Sequence, residues 1–237
     1  MDNGTTVTVR EAYAKAAEML FAPSEIPLGP WTSYSLINDP KHMSFVLSRY
    51  KFCAKMLQGK ERVLEIGVGD GFGLPLIAQA VKQLHAIDWE PRLLESNARR
   101  LSHLKNVTYL HVDLNETAPA LQVDAAYMID VIEHLDPAVE SRFMENVIRC
   151  LTPSGVLITG TPNVTAAAYA SPPSQAAHIN LKSMATLKAL MEHYFQNVFM
   201  FGMNDEVVHT GYAPMCHYIW SLAVGPRSSY VGSCCCE

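Results

Sequence analysis

Short apolar segments alternate with helical patterns from Arg62 onward, and this alternation constrains the fold more than any other feature of the chain. Strands that alternate regularly with helices predict a parallel sheet covered on both faces, because the crossover between parallel strands is usually a helix. We therefore expect a doubly wound α/β fold with a mostly parallel seven-stranded sheet and helices on both faces. Its ligand should bind at the carboxyl ends of the strands. The predicted strands are residues 63–66, 84–87, 107–112, 124–129, 156–159, 198–201 and 217–224.

Helical patterns before Arg62 predict an N-terminal helical cap over residues 1–60. One pattern covers Val9–Phe21 and the other covers about 42–57, with a loop rich in proline and glycine between them. The core should then span residues 61–225, and residues 226–237 should form a flexible tail that ends in three consecutive cysteines. The three internal cysteines are expected to be reduced core residues: Cys53, Cys150 and Cys216.

Charge and hydropathy exclude several classes of protein. The 237 residues include 18 Lys and Arg against 23 Asp and Glu, a net charge of −5, which argues against a nucleic-acid partner. No apolar run approaches the roughly 18 residues that a membrane span requires. The first residues lack the pattern of a secretion signal. We therefore expect a cytoplasmic protein without a membrane partner.

A glycine-rich turn lies between the first predicted strand and the next helix. Gly67 and Gly69 allow a ligand to approach the backbone closely, but Phe72 stands where a dinucleotide fingerprint has its third glycine. Glu65, two residues before Gly67, would repel a pyrophosphate and would hold an ammonium group. This arrangement favours a cationic ligand that carries no phosphate, and disfavours a nicotinamide dehydrogenase.

Two further acidic residues follow the next two strands. Asp88 comes at the position where a carboxylate accepts hydrogen bonds from ribose hydroxyls, and Asp113 could accept one from an adenine amino group. Trp89 and Leu114 follow these acids and could supply apolar faces to the adenine ring. Each acid could alternatively be solvated or cap a helix.

Together these residues resemble class I S-adenosylmethionine-dependent methyltransferases over about residues 60–225. The resemblance implies that the glycine turn holds the methionine end of the cofactor, and that strand four ends at the floor of the methyl-donor pocket. Thr161-Pro162-Asn163 and His178-Ile179-Asn180 resemble a subgroup of sugar and quinone-precursor O-methyltransferases. The implied cofactor residues are Glu65, Gly67, Gly69, Asp88, Trp89, Asp113, Leu114 and Asp130.

An alcohol acceptor would need a general base, and two histidines are the candidates. His134 follows strand four, and His178 lies in a long loop that could form an acceptor wall. Arg49 in the cap could bind the methionine carboxylate of the cofactor. The acceptor-side candidates are Trp31, Tyr50, Asp205, Glu206 and His209.

The function expected is O-methylation of a small molecule or glycan sugar. Alternatives are methylation of nitrogen or sulfur, or a protein that binds S-adenosylmethionine without turnover. No metal is expected, since a site formed by His178, Asp205, Glu206 and His209 would require their loops to converge.

Overall fold

The structure, a computed structural model, describes residues 8–21 and 25–230. Its strands are β1 Arg62–Ile66, β2 Gln83–Asp88, β3 Val107–His111, β4 Val123–Ile129, β5 Leu151–Pro162, β6 Phe195–Asn204, β7 Val207–His209 and β8 Tyr218–Pro226. Its helices are α1 Val9–Phe21, α2 Pro30–Asn38, α3 Lys41–Met56, α4 Leu74–Ala80, α5 Pro91–Arg100, α6 Glu140–Arg149, α7 Pro172–Ala177 and α8 Met184–Tyr194.

The strands form one sheet in the order β3-β2-β1-β4-β5-β8-β6-β7. The first five strands in this order are parallel, while β8 and β6 continue the sheet in antiparallel pairing. The carboxyl ends of the five parallel strands meet at one edge, and the strand order reverses beside β1. The predicted doubly wound α/β fold is therefore confirmed.

The predicted number of seven strands is wrong, because the described residues form eight. The extra strand, β7, has three residues and pairs with the end of β6 through Asn204↔Val207 and Gly202↔His209. Asp205, with φ of +49°, and Glu206 form the turn between them. A strand of three residues is too short to leave a periodic pattern in the sequence. Its conformation is stabilised by pairing with β6.

Helices cover both faces of the sheet. Helices α3, α4 and α5 pack on one face, where Tyr50, Leu74 and Leu94 are buried. Helices α6 and α8 pack on the other, where Phe143 and Leu187 are buried. The three internal cysteines are buried and free, as the sequence predicts.

The N-terminal region contains one more helix than the sequence predicts. Helices α1 and α3 match the predicted patterns, but α2 occupies part of the expected loop. Pro30 is its first residue, a position that suits proline because the ring fixes φ and the missing N–H would have no partner there. Pro30, which lies in the loop predicted from the sequence, is therefore the first residue of a helix.

The connection between β5 and α8 has local structure of its own. A 3-10 helix spans Val164–Tyr169, and α7 follows with Ser171 as its N-cap. Asn163 fixes the start of this connection because its side-chain amide donates to the carbonyls of Ala213 and Cys216, both at 2.9 Å. The loop therefore leaves the sheet from a fixed point and returns at α8.

The C-terminal segment folds back on α8 before the described residues end. The Arg227 N–H donates to the Tyr194 carbonyl at 2.8 Å, and the Tyr230 hydroxyl lies 2.7 Å from His193 Nε2. Residues 231–237, with the three terminal cysteines of the predicted tail, lie outside the described residues. Within the described part of the chain, every helix is too short or too polar to cross a bilayer.

Candidate functional site

The glycine turn follows β1 at the carboxyl edge of the sheet. Gly67 and Gly69 have φ of +70° and +54°, in the left-handed region that favours glycine. A Cβ on Gly67 would lie 2.6 Å from Val131 Cγ2, so glycine also lets the turn approach the segment after β4. The Gly67 N–H donates to the Ile87 carbonyl at 3.0 Å, which ties the turn to β2.

Asp88, at the end of β2, is oriented by two backbone N–H groups. Its Oδ2 accepts from Gly69 at 2.9 Å, and its Oδ1 accepts from Glu90 at 3.0 Å. A carboxylate oxygen has two lone pairs, so each oxygen retains capacity for a further donor such as a hydroxyl. The arrangement is compatible with the predicted ribose contact, which stays a prediction.

The residues predicted to surround adenine differ in exposure. Asp113 accepts from the Asn115 N–H at 2.8 Å and is half-buried. Trp89 is 67% exposed, so its ring is open to a ligand. Leu114 is buried in the core, where its carbonyl accepts from Asn146.

Glu65 is a buried carboxyl group at the end of β1. It is 2% exposed, and its Oε2 has no hydrogen-bond partner among the described residues. Burial raises the pKa of Glu65 to about 8; the hydroxyls of Tyr127 and Tyr50 partly offset this effect, and the charge of Asp88 adds to it. A cationic group bound beside Glu65 would stabilise its ionised form.

Arg49 reaches the same edge from the cap. Its Nη1 donates to Asp130 Oδ2 at 2.6 Å, and its guanidinium lies 4.0 Å above the centre of the Tyr218 ring. Asp130 has φ of +57°, an unusual conformation for a non-glycine residue that directs the chain away from β4. Arg49, predicted to bind the methionine carboxylate, is thus paired with Asp130, while its Nε has no partner within the described part of the chain.

Glu133 and two histidines form a cluster next to this ion pair. The ring centres of His134 and His178 are 5.0 Å apart, so the two predicted base candidates do meet. Glu133 is fully buried, and its Oε2 accepts from the Thr161 hydroxyl at 2.9 Å. Burial, followed by the charge of Asp130, raises the pKa of Glu133 to about 8.

The hydrogen bonds of the cluster determine its protonation. His134 Nδ1 lies 3.0 Å from the Ala177 carbonyl, which can only accept, so Nδ1 carries the proton and Nε2 has a free lone pair. Burial and the neighbouring His134 lower the pKa of His178, which favours its neutral form. The cluster therefore holds a neutral imidazole at His178, next to the ring of His134.

The same three side chains could hold a divalent cation. One ligand atom from each of Glu133, His134 and His178 lies within 4.8 Å of the other two. Imidazole nitrogen with carboxylate oxygen suits zinc and similar transition metals. Sequence reasoning assigned no role to Glu133, although its position beside His134 after β4 was a signal that could have indicated one.

Three predicted acceptor residues lie on the β6–β7 hairpin. Asp205 and Glu206 are both exposed, and Asp205 lines a cavity of about 40 Å³ together with Arg49. His209 Nδ1 accepts from Gly211 at 2.9 Å, so its Nε2 donates to Asn204 at 3.0 Å and both nitrogens are engaged. The hairpin residues do not join His178, so the metal site considered from the sequence does not form.

The two aromatic acceptor candidates have opposite environments. Trp31 on α2 is 67% exposed, whereas Tyr50 on α3 is buried edge-on against Tyr127, with ring centres 6.4 Å apart. A Cβ on Gly73 would overlap the Tyr50 ring, so Tyr50 packs directly on the glycine turn. Tyr50 therefore connects the cap to the turn.

Buried polar atoms without partners among the described residues concentrate at this edge. Native interiors leave few such atoms, because each one costs about 1–3 kcal/mol. Their concentration around the ends of β1, β4, β5 and β8 is typical of a pocket for a polar ligand. Eight of the eleven such atoms among the described residues lie here: Arg49 Nε, Glu65 Oε2, Tyr127 Oη, Asp130 Oδ1, Glu133 Oε1, Thr159 Oγ1, Tyr218 Oη and Ser221 Oγ. The other three are His85 Nδ1, Tyr109 Oη and Asn115 Oδ1.

Residues 64–157 match a sequence family described as a methyltransferase domain. A probable S-adenosylmethionine-dependent methyltransferase of Mycobacterium tuberculosis is 35% identical over 102 residues, which are 43% of this chain and 35% of that protein. Another, of Mycolicibacterium smegmatis, is 30% identical over 145 residues, which are 60% of this chain and 54% of that protein. The solved structure of the N-methyltransferase NodS from Bradyrhizobium japonicum with S-adenosyl-L-homocysteine has a TM-score of 0.58 at 16% identity, covering 90% of this chain and 98% of that chain.

Residues 64–157 are therefore similar to a methyltransferase domain, and the chain has the fold of solved S-adenosylmethionine-dependent methyltransferases. The resemblance predicted from the sequence is confirmed, and S-adenosylmethionine is the cofactor of this class. The chain spans about one third to one half of the length of the curated relatives that it matches.

The raised pKa of Glu65 predicts a pH-dependent stability in the absence of ligand. Between about pH 4.5 and 8 the native state keeps a proton that the unfolded chain has released, so stability falls as pH rises through this window and then levels off. Glu65→Gln removes this dependence, so its stability relative to wild type should increase from pH 5 to pH 8. Denaturant unfolding at four or five pH values measures the difference.

The pKa of Glu133 is raised as well, so Glu65→Gln should keep part of the wild-type dependence of stability on pH. Glu116→Gln, at an exposed carboxylate, is the matched control and should follow the wild-type curve. A Glu65→Gln curve parallel to wild type over the whole range would contradict the buried, protonated state of Glu65.

Proposed function

We propose that this protein transfers the methyl group of S-adenosylmethionine to a hydroxyl group of a small molecule or a glycan sugar. The observation that carries the proposal is the row of unpaired buried polar atoms at the carboxyl edge, directly beside the His134–His178 pair. The first feature suits a polar, cationic donor, and the second suits an acceptor that must lose a proton.

The donor would lie along the ends of β1, β2 and β3. Its ammonium group would pair with Glu65, its ribose hydroxyls with Asp88 and its adenine amino group with Asp113. The orientation of Asp88 supports this assignment, because the Gly69 N–H aligns the carboxylate with the glycine turn. Asp130 and Arg49 would then adjoin the methionine end.

Methyl transfer requires the acceptor oxygen to attack the methyl carbon opposite sulfur. The new C–O bond forms as the C–S bond breaks, and sulfur keeps the electron pair, so the donor leaves as neutral S-adenosylhomocysteine. Correct positioning of the two reactants can contribute about 7–11 kcal/mol to lowering the barrier.

The hydroxyl proton would pass to a histidine of the pair. His178 is the first candidate because its lowered pKa leaves it neutral, and His134 offers a free Nε2 lone pair. General-base assistance of this kind is worth about 10²- to 10⁴-fold in rate. An amine or thiolate acceptor would depend on it less.

A cavity beside His178 could receive the body of the acceptor. Its volume is about 330 Å³, which suits a small molecule or one sugar unit. The small side chains of its wall leave room close to the imidazole. The lining residues are Ala167, Ala168, Ala170, Gln175, His178 and Leu181.

A divalent cation at Glu133, His134 and His178 is a second candidate for activating the hydroxyl, since their ligand atoms converge. A bound cation would lower the pKa of a coordinated hydroxyl. The two histidines would then act as ligands and leave the proton to another acceptor.

Donor binding can be tested with purified protein and S-adenosyl-L-homocysteine. At 100 times its Kd the ligand should add about 2.7 kcal/mol of stability, which corresponds to roughly 5–11 °C in Tm for a domain of this size. NAD at the same concentration should produce no shift, because Phe72 stands where a dinucleotide-binding turn has its third glycine. Stabilisation by NAD alone would overturn the donor assignment.

Replacing the histidines tests the activation step. With tritiated S-adenosylmethionine and a cell extract as the source of acceptor, His178→Ala and His134→Ala should lower methyl transfer about 10²- to 10⁴-fold. Their affinity for S-adenosyl-L-homocysteine should stay within about threefold of wild type. His103→Ala, at an exposed histidine after α5, is the matched control.

Unchanged rates in both variants would exclude the pair from activation. Loss of wild-type activity on chelation, with recovery on adding zinc or manganese, would favour the cation over the free base. Mass spectrometry of the labelled product distinguishes oxygen, nitrogen and sulfur acceptors, and absence of any labelled product with a bound donor would favour a non-catalytic protein.

A further inference from the structure

We propose that Asp70 links the glycine turn to helix α2, so that donor binding fixes the N-terminal cap on the acceptor side. Asp70 would be a positioning residue rather than a catalytic one. The inference rests on the proposed function, because it assumes that the donor occupies the turn.

Helix α2 begins without a side-chain cap of its own. Its N-cap residue is Gly29, which has no side chain, and Asp70 performs the capping from another part of the chain. The Asp70 carboxylate accepts from the Thr32 N–H at 2.8 Å and from the Thr32 hydroxyl at 3.1 Å. Its negative charge also suits the positive end of the helix dipole.

The contact depends on close approach of the two segments. A Cβ on Gly29 would overlap the Asp70 side chain, so a residue larger than glycine would separate α2 from the turn. Thr32 is also the buried residue of α2, whereas Trp31 is 67% exposed and Ile37 is 80% exposed. Asp70 is therefore the main point at which the core holds the start of this helix.

Asp70 lies directly after the part of the turn that would contact the donor. The preceding residue, Gly69, donates to Asp88 and accepts from the Asn97 side chain at 2.8 Å. Arg100 Nη2 donates to the Asp70 carbonyl and to Asn97, both at 2.6 Å. A ligand that fixes Gly69 and Asp88 would therefore also fix Asp70.

The same network reaches the segment before α2. Arg100 Nη1 lies 3.4 Å from the Pro27 carbonyl, so Arg100 of α5 contacts both the glycine turn and the segment before α2. Helix α2 leads directly into α3, which carries Arg49 and Tyr50. Fixing the start of α2 would therefore place Trp31 and the cap residues around the acceptor.

Two consequences follow from this link. The donor should bind before the acceptor, because a donor that fixes the turn would also fix the cap through the Asp70–Thr32 contacts. Since coupling between two sites is reciprocal, a bound acceptor should tighten donor binding by the same factor that the donor tightens acceptor binding.

Hydrogen–deuterium exchange tests the link without a known acceptor. In the wild-type chain, saturating S-adenosyl-L-homocysteine should slow amide exchange across residues 30–38 by about tenfold. In Asp70→Ala the ligand should still bind within about fivefold of wild-type affinity, as calorimetry would measure. It should no longer slow exchange in residues 30–38, although it should still protect residues 66–69.

Two further variants separate positioning from general stability. Asp70→Asn keeps an acceptor oxygen and should recover part of the protection, and Thr32→Ala should lose part of it while leaving the turn intact. Asp136→Ala removes an exposed carboxylate that accepts from the Ala138 N–H, so it is the matched control and should behave as wild type.

Ligand-dependent protection of residues 30–38 in Asp70→Ala equal to that of wild type would overturn the proposal, as would ligand binding to wild type without any change there. If Asp70→Ala fails to fold, the same exchange measurement is made on Thr32→Ala and Asp70→Asn. Ligand-dependent protection of residues 30–38 equal to that of wild type in both variants would then overturn the proposal. Failure of the wild-type chain to bind S-adenosyl-L-homocysteine would instead reject the proposed function.

Discussion

Buried carboxyl groups at one edge of the sheet are the constraint on which the site depends. Glu65 and Glu133 are removed from water without a full set of partners, and burial raises the pKa of both groups to about 8. Such burial costs folding free energy, so a sequence that retains it at the ligand edge of an α/β sheet favours ligand binding over stability. Arg49 neutralises part of the negative charge at this edge by forming an ion pair with Asp130.

The cap and the core are joined through this same edge. Tyr50 packs on the glycine turn, Asp70 caps α2, and Arg49 pairs with the residue that follows β4. All three contacts join the cap to segments at the carboxyl ends of strands. The cap is therefore placed by groups that surround the proposed donor site, and under the proposed function this would connect donor binding to the acceptor side of the protein.

Much of the fold could be predicted because its signals are local. The apolar runs of β1, β2 and β4 and the glycine turn are each contained within about ten residues. Strand β7 could not be predicted, since its three residues owe their conformation to pairing with β6. Helix α2 was missed for a similar reason, because its cap comes from Asp70, 38 positions away.

The candidate site was predictable to a similar extent. Acids at strand ends could be recognised from spacing, and the His134–His178 pair was named although its two rings meet only in three dimensions. The role of Glu133 was missed, because its partner Thr161 lies 28 positions away on β5. The engagement of both His209 nitrogens by the hairpin was likewise invisible in the sequence.

Proton release on donor binding tests the central claim most directly. Calorimetric titration of S-adenosyl-L-homocysteine at pH 7, in two buffers with different ionisation enthalpies, counts the protons exchanged. Because Glu65 has a pKa of about 8 and would ionise beside the ligand's ammonium group, binding should release close to one proton. Glu65→Gln should release distinctly less. A buffer-independent enthalpy in the wild type, or equal release in the variant, would contradict the pairing of a buried carboxyl group with a cationic cofactor.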